Sequence, residues 1–374
     1  MDLEEEKIEI KKPVWPKILI WAAIVLIAIF ATMLILKQFG PKGQSSDNSK
    51  EQQGIGGLSN RFENNCQSNP NPVFTANYVE LSKIKHLAPI GAINAGSPGR
   101  AYLFAKDDIK DMAALYAPTD ATLEGIVFAR RDPNNPNAKG EYRLDFRVSC
   151  EVTFSFDHLD DVIAEIKALA PTEPANNTRE AKSVSFPVKA GTLVAYSDGT
   201  DLSKGFDFYL INKSKEVSHI NQKRWEWDQA KYADCPYDYF VDDLKTQYYG
   251  MLKSQDGQKL STQSCGSPSH DVAGTASGGW FQGDSTTFGK WLEIGNQNEK
   301  VEINFRNIGD AYMIRDYKPK VLPENLTVGN STCYSDNGKW VYVKLDSETQ
   351  LSVVKGTGVC PSVFPANNIE EWER

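Results

Sequence analysis

The feature that most constrains this chain is the run at residues 18–36, ILIWAAIVLIAIFATMLIL, nineteen residues without a charge. At 1.5 Å rise per residue, a helix of that length matches a hydrocarbon core of about 30 Å. An apolar helix with no polar face, followed by a polar tail, has no soluble core to enter. The run lacks the short apolar stretch and small-residue cleavage site of a signal peptide, and Trp15 and Trp21 suit an interfacial belt. It predicts an uncleaved, single-pass transmembrane helix whose partner is the lipid bilayer.

Orientation follows from three weaker signals. Lys7, Lys11, Lys12 and Lys17 precede the span, while Lys37, Lys42 and Lys50 follow it, a slight bias toward a cytoplasmic N-terminus. All six cysteines lie after the span, as do Asn-x-Ser/Thr sequons at Asn176, Asn212, Asn325 and Asn330. Both suit an extracytoplasmic face. Residues 1–37 hold five Lys against five Asp/Glu, so the net charge of −8 belongs to the remainder. No basic stripe or aromatic-interleaved Lys/Arg cluster occurs, which argues against a nucleic-acid partner.

Behind the cytoplasmic tail (1–17) and anchor (18–36), residues 37–72 are rich in Gly, Ser, Asn and Gln, the composition of a flexible linker. Alternating segments then dominate: TLEGIVFA at 122–129, YRLDFRV at 142–148, VTFSF at 152–156, GTLVAY at 191–196 and FDFYLI at 206–211. Each predicts a strand. A helix is expected at 161–168, N-capped by Asp160 and stopped by Pro171. A second is expected at 238–251, where Phe240, Leu244, Tyr248 and Met251 recur at near-helical spacing. Strands follow at 291–294, 301–305, 340–345 and 350–354. The fold class is mainly β with a few helices (α+β), divided into a β domain at 73–218 and a β-rich, barrel- or sandwich-like domain at 219–374.

Six cysteines permit fifteen pairings. Pairing within each domain joins Cys66 to Cys150; the simplest arrangement of the others joins Cys235 to Cys265 and Cys333 to Cys360. No C-x-x-C exists, which argues against a structural zinc site.

Three segments of the first domain resemble the lysostaphin/LytM-type zinc metallopeptidases, which cut peptidoglycan cross-links and are built on a duplicated hybrid motif. They are LYAPTDATLEGI at 115–126, FSFDHLD at 154–160 and VKAGTLVAYSD at 188–198. The likeness covers about residues 88–212. It implies a β groove and a zinc held by a His, an Asp and the second His of a terminal H-x-H, because catalytic zinc needs three protein ligands and one open position. The chain departs from that pattern. Phe206-Asp207-Phe208 stands at the H-x-H, Arg100 stands where the first His would be, and Asp107 or Asp108 is the match to the acidic ligand. His158 alone is retained, and a lone His beside Asp157 and Asp160 is more often an ordinary hydrogen-bonded side chain than a catalyst. The resemblance therefore implies a degenerate, noncatalytic member without metal or other cofactor.

Other constellations carry less. Ser269-His270-Asp271 places a triad's residue types side by side, whereas triads assemble from distant segments. No G-x-S-x-G or phosphate-cradling loop is present. Trp280 and Phe281, in SGGWFQGD, are candidates for stacking on a sugar, with burial in a β core as the competing reading. The expectation is a membrane-anchored envelope protein that binds a cell-wall or surface glycan, or scaffolds a surface complex. The alternative is an active zinc endopeptidase whose rearranged site uses His158, Asp107 or Asp108, and His86.

Overall fold

A computed structural model describes residues 66–374 apart from 94–97, 179–180, 202 and 307–311. The expected tail, anchor and most of the linker lie outside the described residues. Among the described residues no helix is long and apolar enough to cross a membrane.

Alternation builds the first sheet. Along GEYRLDFR, Tyr142, Leu144 and Phe146 point to one side and Glu141, Arg143, Asp145 and Arg147 to the other. The strands are β1 (Ile84–Ala88), β2 (Ala101–Ala105), β3 (Ala113–Tyr116), β4 (Ala121–Arg130), β5 (Gly140–Arg147), β6 (Val152–Leu159), β7 (Asp161–Val162), β8 (Lys182–Val188), β9 (Leu193–Ser197), β10 (Gly205–Asn212) and β11 (Ala233–Asp234). The large antiparallel sheet runs β1-β2-β10-β6-β5-β4-β8, with β11 on β10, and β3-β9-β7 form a small second sheet. One core joins them, centred on Phe146, Phe154, Phe156 and Phe208.

The helix expected at 161–168 is shorter and starts later. Asp161 and Val162 pair with β9 as a strand, and α1 spans Ala164–Leu169 with Ile163 at its N-cap and no side-chain cap. Asp160 does not cap because its carboxylate is already engaged by Arg131, Lys139 and Ser197. The strand expected at 191–196 begins at Leu193, since Thr192 closes a turn onto Lys189.

The expected helix at 238–251 resolves into a 3-10 turn at Pro236–Tyr239 and, after α2 (Asp228–Tyr232), the helix α3 (Asp242–Met251). It packs on the first core: the Tyr248 ring lies 5.1 Å from Tyr78 and 4.7 Å from Phe240. Residues 235–265, grouped by sequence with the second half, thus contribute to the core of the first.

The remaining strands are β12 (Gly278–Phe281), β13 (Trp291–Gln297), β14 (Lys300–Arg306), β15 (Tyr312–Asp316), β16 (Ser331–Asp336), β17 (Lys339–Ser347), β18 (Gln350–Thr357) and β19 (Glu370–Glu373). They form one antiparallel sheet in the order β15-β14-β13-β12-β19-β18-β17-β16. With β15 and β16 consecutive in the chain and side by side in space, this is a nearly closed up-and-down barrel of eight strands. Its interior is filled by side chains, as a barrel of that size requires, among them Trp280, Ile303, Tyr334, Val343 and Trp372. Among the described residues the β15–β16 seam carries no ladder. It is bridged instead by Ser335 N–H donating to Asp316 Oδ2 at 3.1 Å, and the Tyr312 hydroxyl reaches past β16, its proton shared between the carbonyls of Trp340 on β17 and Gly356 on β18 at 3.0 and 2.9 Å.

Two glycines let the halves meet. A Cβ on Gly295 would lie 2.6 Å from Ile93 Cδ1 and 2.9 Å from His270 Cγ, and one on Gly279 would overlap the Trp225 ring. Trp225 also stacks on His219 and packs against Phe281 and Trp291. Three disulfides complete the framework: Cys66–Cys150, Cys235–Cys265 and Cys333–Cys360. The first, with Asn69 N–H donating to Glu151 Oε2, ties the last residues of the expected linker to the sheet.

Candidate functional site

The site originates in an irregular pairing. Between β5 and β6, Leu144 faces Phe156 but Tyr142 faces Leu159, so β6 carries one extra residue. This is a β-bulge, and its left-handed residue is His158, with φ at 60°. Strict alternation would send His158 into the core; the bulge returns Leu159 to the core and leaves Asp157 and His158 together on the opposite face. A non-glycine residue in this conformation is held there by its surroundings. Asp157 Oδ1 accepts the His158 N–H at 2.9 Å, and the Ser197 hydroxyl donates to the His158 carbonyl at 2.9 Å.

Asp207 reaches the same face from β10, directly opposite Asp157. The ligand-type atoms of Asp157, His158 and Asp207 lie within 4.8 Å of one another, a spacing able to hold a cation. Arg100, at the entrance to β2, supplies that cation. Its Nη1 donates to Asp157 Oδ2 at 3.0 Å and to Asp207 Oδ2, while the guanidinium covers the Tyr209 ring at 5.0 Å. Burial opposes its charge, but the two carboxylates hold Arg100 firmly protonated.

His158 behaves likewise. Burial disfavours its charge, yet the hydrogen bond to Glu141 and the charges of Asp157 and Asp207 raise it to about 9, so the imidazolium is the form at neutral pH. Its Nδ1 donates to Glu141 Oε1 at 2.9 Å, and Nε2 lies 3.9 Å from Asp207 Oδ2. Burial raises Asp207 above its ordinary range. Asp157, although desolvated, is held below that range by Arg100 and His158. The network continues through Arg131, which donates to Glu141 at 3.1 Å and Asp160 at 2.8 Å, and Lys139, which also reaches Asp160. Arg100, Arg131, Lys139 and His158 thus match Asp157, Asp207, Glu141 and Asp160 in charge.

These residues fit a catalytic zinc poorly. A divalent ion between Asp157 and Asp207 would displace the Arg100 guanidinium, and His158 would have to give up its proton to ligate. What the arrangement can do is offer the Nε2–H of His158, a side chain about a third exposed, to an acceptor. It faces a cavity of about 310 Å³ lined by Tyr102, Phe104, Thr200, Ser203, Asp207 and, from the barrel, Arg315.

Several expected site residues lie elsewhere. Phe206 and Phe208 are fully buried in the first core, because alternation along β10 turns Asp207 and Tyr209, not these rings, toward Arg100. Asp107 and Asp108 are exposed, with Asp107 paired to Lys85 at 3.0 Å. His86 is buried and stacked on Phe104, outside the carboxylate cluster. Trp280 fills the barrel and Phe281 the junction beside Trp225, so neither ring is presented to a ligand. In the Ser269-His270-Asp271 run, His270 Nε2 bonds the Gly91 carbonyl and Asp271 accepts from the N–H groups of Ile220 and Gly279, which leaves no catalytic alignment with Ser269.

Asp207, Glu141 and Arg315 were not distinguishable as site residues in the sequence. One signal was present: the inward residues Phe154, Phe156 and Leu159 are spaced by two and then by three, the mark of the bulge. No protein-family model and no curated protein matches this chain.

Proposed function

We propose that this chain is a membrane-anchored, extracytoplasmic binding protein of the cell envelope, noncatalytic, whose ligand is a cell-wall or surface glycan seated in the His158 cavity. The observation that carries this reading is the Arg100 guanidinium between Asp157 and Asp207. Both carboxylates are neutralised by a fixed side chain, so neither is a free base and the position of a Lewis acid is taken. The protonated His158 is a hydrogen-bond donor, not a proton acceptor. Phe104, half-buried on the outward side of β2 with one face on His86, offers the edge and free face of a ring to a sugar, beside the largely buried Tyr102 and with His158 and Arg315 as donors.

The three disulfides support an oxidising, extracytoplasmic compartment. The resemblance to the LytM-type peptidases supplies the ligand class, a wall polymer retained after loss of hydrolysis. The test pairs metal analysis with sedimentation on purified wall polymer. Elemental mass spectrometry is expected to find no stoichiometric zinc, and the protein is expected to co-sediment, with binding weakened in Phe104→Ala and His158→Ala. One zinc per chain, lost in His158→Ala and accompanied by release of cross-link fragments, would establish the endopeptidase instead.

A further inference from the structure

A second cleft of about 310 Å³ lies between the first sheet and the barrel, on the other side of the turn at residues 254–258. Its chemistry differs from that of the His158 cavity. Among the described residues none that lines it is Asp, Glu, Lys or Arg, and burial lowers His270, which favours its neutral form. Ser261, Thr262, Gln255, Asn296, Gln297 and Asn298 line it with hydroxyls and amides, over a small apolar floor of Pro89, Ile90 and Leu260.

The amides are held in place from behind. Asn298 accepts the Ser261 N–H at 2.7 Å and donates to the Lys259 carbonyl at 3.0 Å; Asn296 donates to Glu324 at 2.7 Å and accepts the Glu299 N–H at 2.9 Å; Gln297 donates to the Gly91 carbonyl. Side chains fixed in this way lose little freedom when a ligand arrives. Gln255 lies on the wall shared with the His158 cavity, and its amide nitrogen is buried with no hydrogen-bond partner among the described residues.

We propose that this cleft is a separate binding site for a neutral saccharide. Hydroxyls and amides both donate and accept, which matches sugar hydroxyls, and the apolar floor accommodates the C–H face of a pyranose ring. An anionic ligand would find no cation here. A peptide would be matched by backbone at a free strand edge, whereas this cleft presents side chains. The site goes beyond the His158 cavity and does not depend on what that cavity binds.

The test is calorimetric titration of the full-length protein in nanodiscs with the tetrasaccharide of N-acetylglucosamine and with cellotetraose, using tetraglycine as the peptide comparison. At least one saccharide is expected to bind saturably. Thr262→Trp, which fills the cleft from an exposed position, is expected to weaken it by about tenfold or more, and the milder Ser261→Ala/Thr262→Ala pair to weaken it less. Because the His158 cavity is itself proposed to take a glycan, the titration is repeated in His158→Ala, where the cleft's saturable binding is expected to persist and to be weakened when Thr262→Trp is added. Absence of saturable saccharide binding, binding of tetraglycine in its place, or loss in His158→Ala but not in the cleft variants would overturn the proposal. None of these outcomes alters the wall-polymer test of the His158 cavity.

Discussion

Arg100 joins Asp157 and Asp207 across adjacent strands, with Nη1 3.0 Å from Asp157 Oδ2 and hydrogen-bonded to Asp207 Oδ2. Both acids are almost fully buried. Removing the shared cation leaves two buried carboxylates facing each other with His158 as the remaining adjacent positive charge. Arg100→Ala is therefore expected to lower unfolding free energy by about 3 kcal/mol, measured by urea denaturation. The same variant is expected to gain affinity for Zn²⁺ in calorimetry, with the ion restoring part of the lost stability. An unchanged denaturation midpoint would remove Arg100 from the role given to it.

Glu141 is the strongest of the groups that raise His158, through its bond to Nδ1. In Glu141→Gln the titration of His158 is expected to fall from about 9 toward its ordinary 6.5, read from imidazole resonances by NMR. The sign for stability follows from linkage. A histidine raised by folding contributes fully below its unfolded value and loses that contribution as pH rises through the folded one. The wild-type protein should lose stability between about pH 6.5 and 9 from this group, and Glu141→Gln should flatten that slope.

Glu293 gives a second pH dependence, of different origin. It lies on the junction face of β13, and neither carboxyl oxygen has a hydrogen-bond partner among the described residues. Burial pushes it up to about 8, with the charges of Asp271 and Glu302 adding to the shift and Arg306 opposing it. The folded protein holds a proton that the unfolded chain releases near 4.5, so this group's contribution falls as pH rises from there through 8. Glu293→Gln is expected to be more stable than wild type at pH 9, by on the order of a few kcal/mol, with little difference at pH 4. Thermal denaturation at the two pH values measures it.

The disulfides should differ in worth. Cys66–Cys150 spans 84 residues and Cys333–Cys360 spans 27. Restriction of the unfolded chain makes the first worth about 4 kcal/mol and the second about 3. Denaturation of the paired serine variants is expected to preserve that order.

Much of the fold was legible because period-two alternation is strong in segments such as YRLDFRV and FDFYLI, and because three cysteine pairs within their own regions leave a simple arrangement. The site was less so. The Phe206-Asp207-Phe208 segment draws attention to the two rings, yet in a strand the middle residue faces the other way, and only the pairing of β10 with β6 shows that Asp207 meets Asp157. Trp280 and Phe281, beside glycines, have the composition of a binding loop; Gly279 is there to admit Trp225, and Gly278 lies against Asp271. Arg315 comes from a strand far along the chain, and no local pattern links it to His158.

The seam between β15 and β16 has a kinetic consequence. Six ladders of four or more residue pairs and, at β12–β19, the single pair Phe281 with Glu373 hold the other strands of the barrel, while among the described residues this seam depends on Asp316, Tyr312 and the backbone groups they reach. Breathing of the cylinder is concentrated where the fewest bonds must break at once. The seam-facing amides of β15 and β16 should take up deuterium well ahead of those in β13 and β18, so that the barrel opens as a split ring while the long hairpins on either side stay zipped.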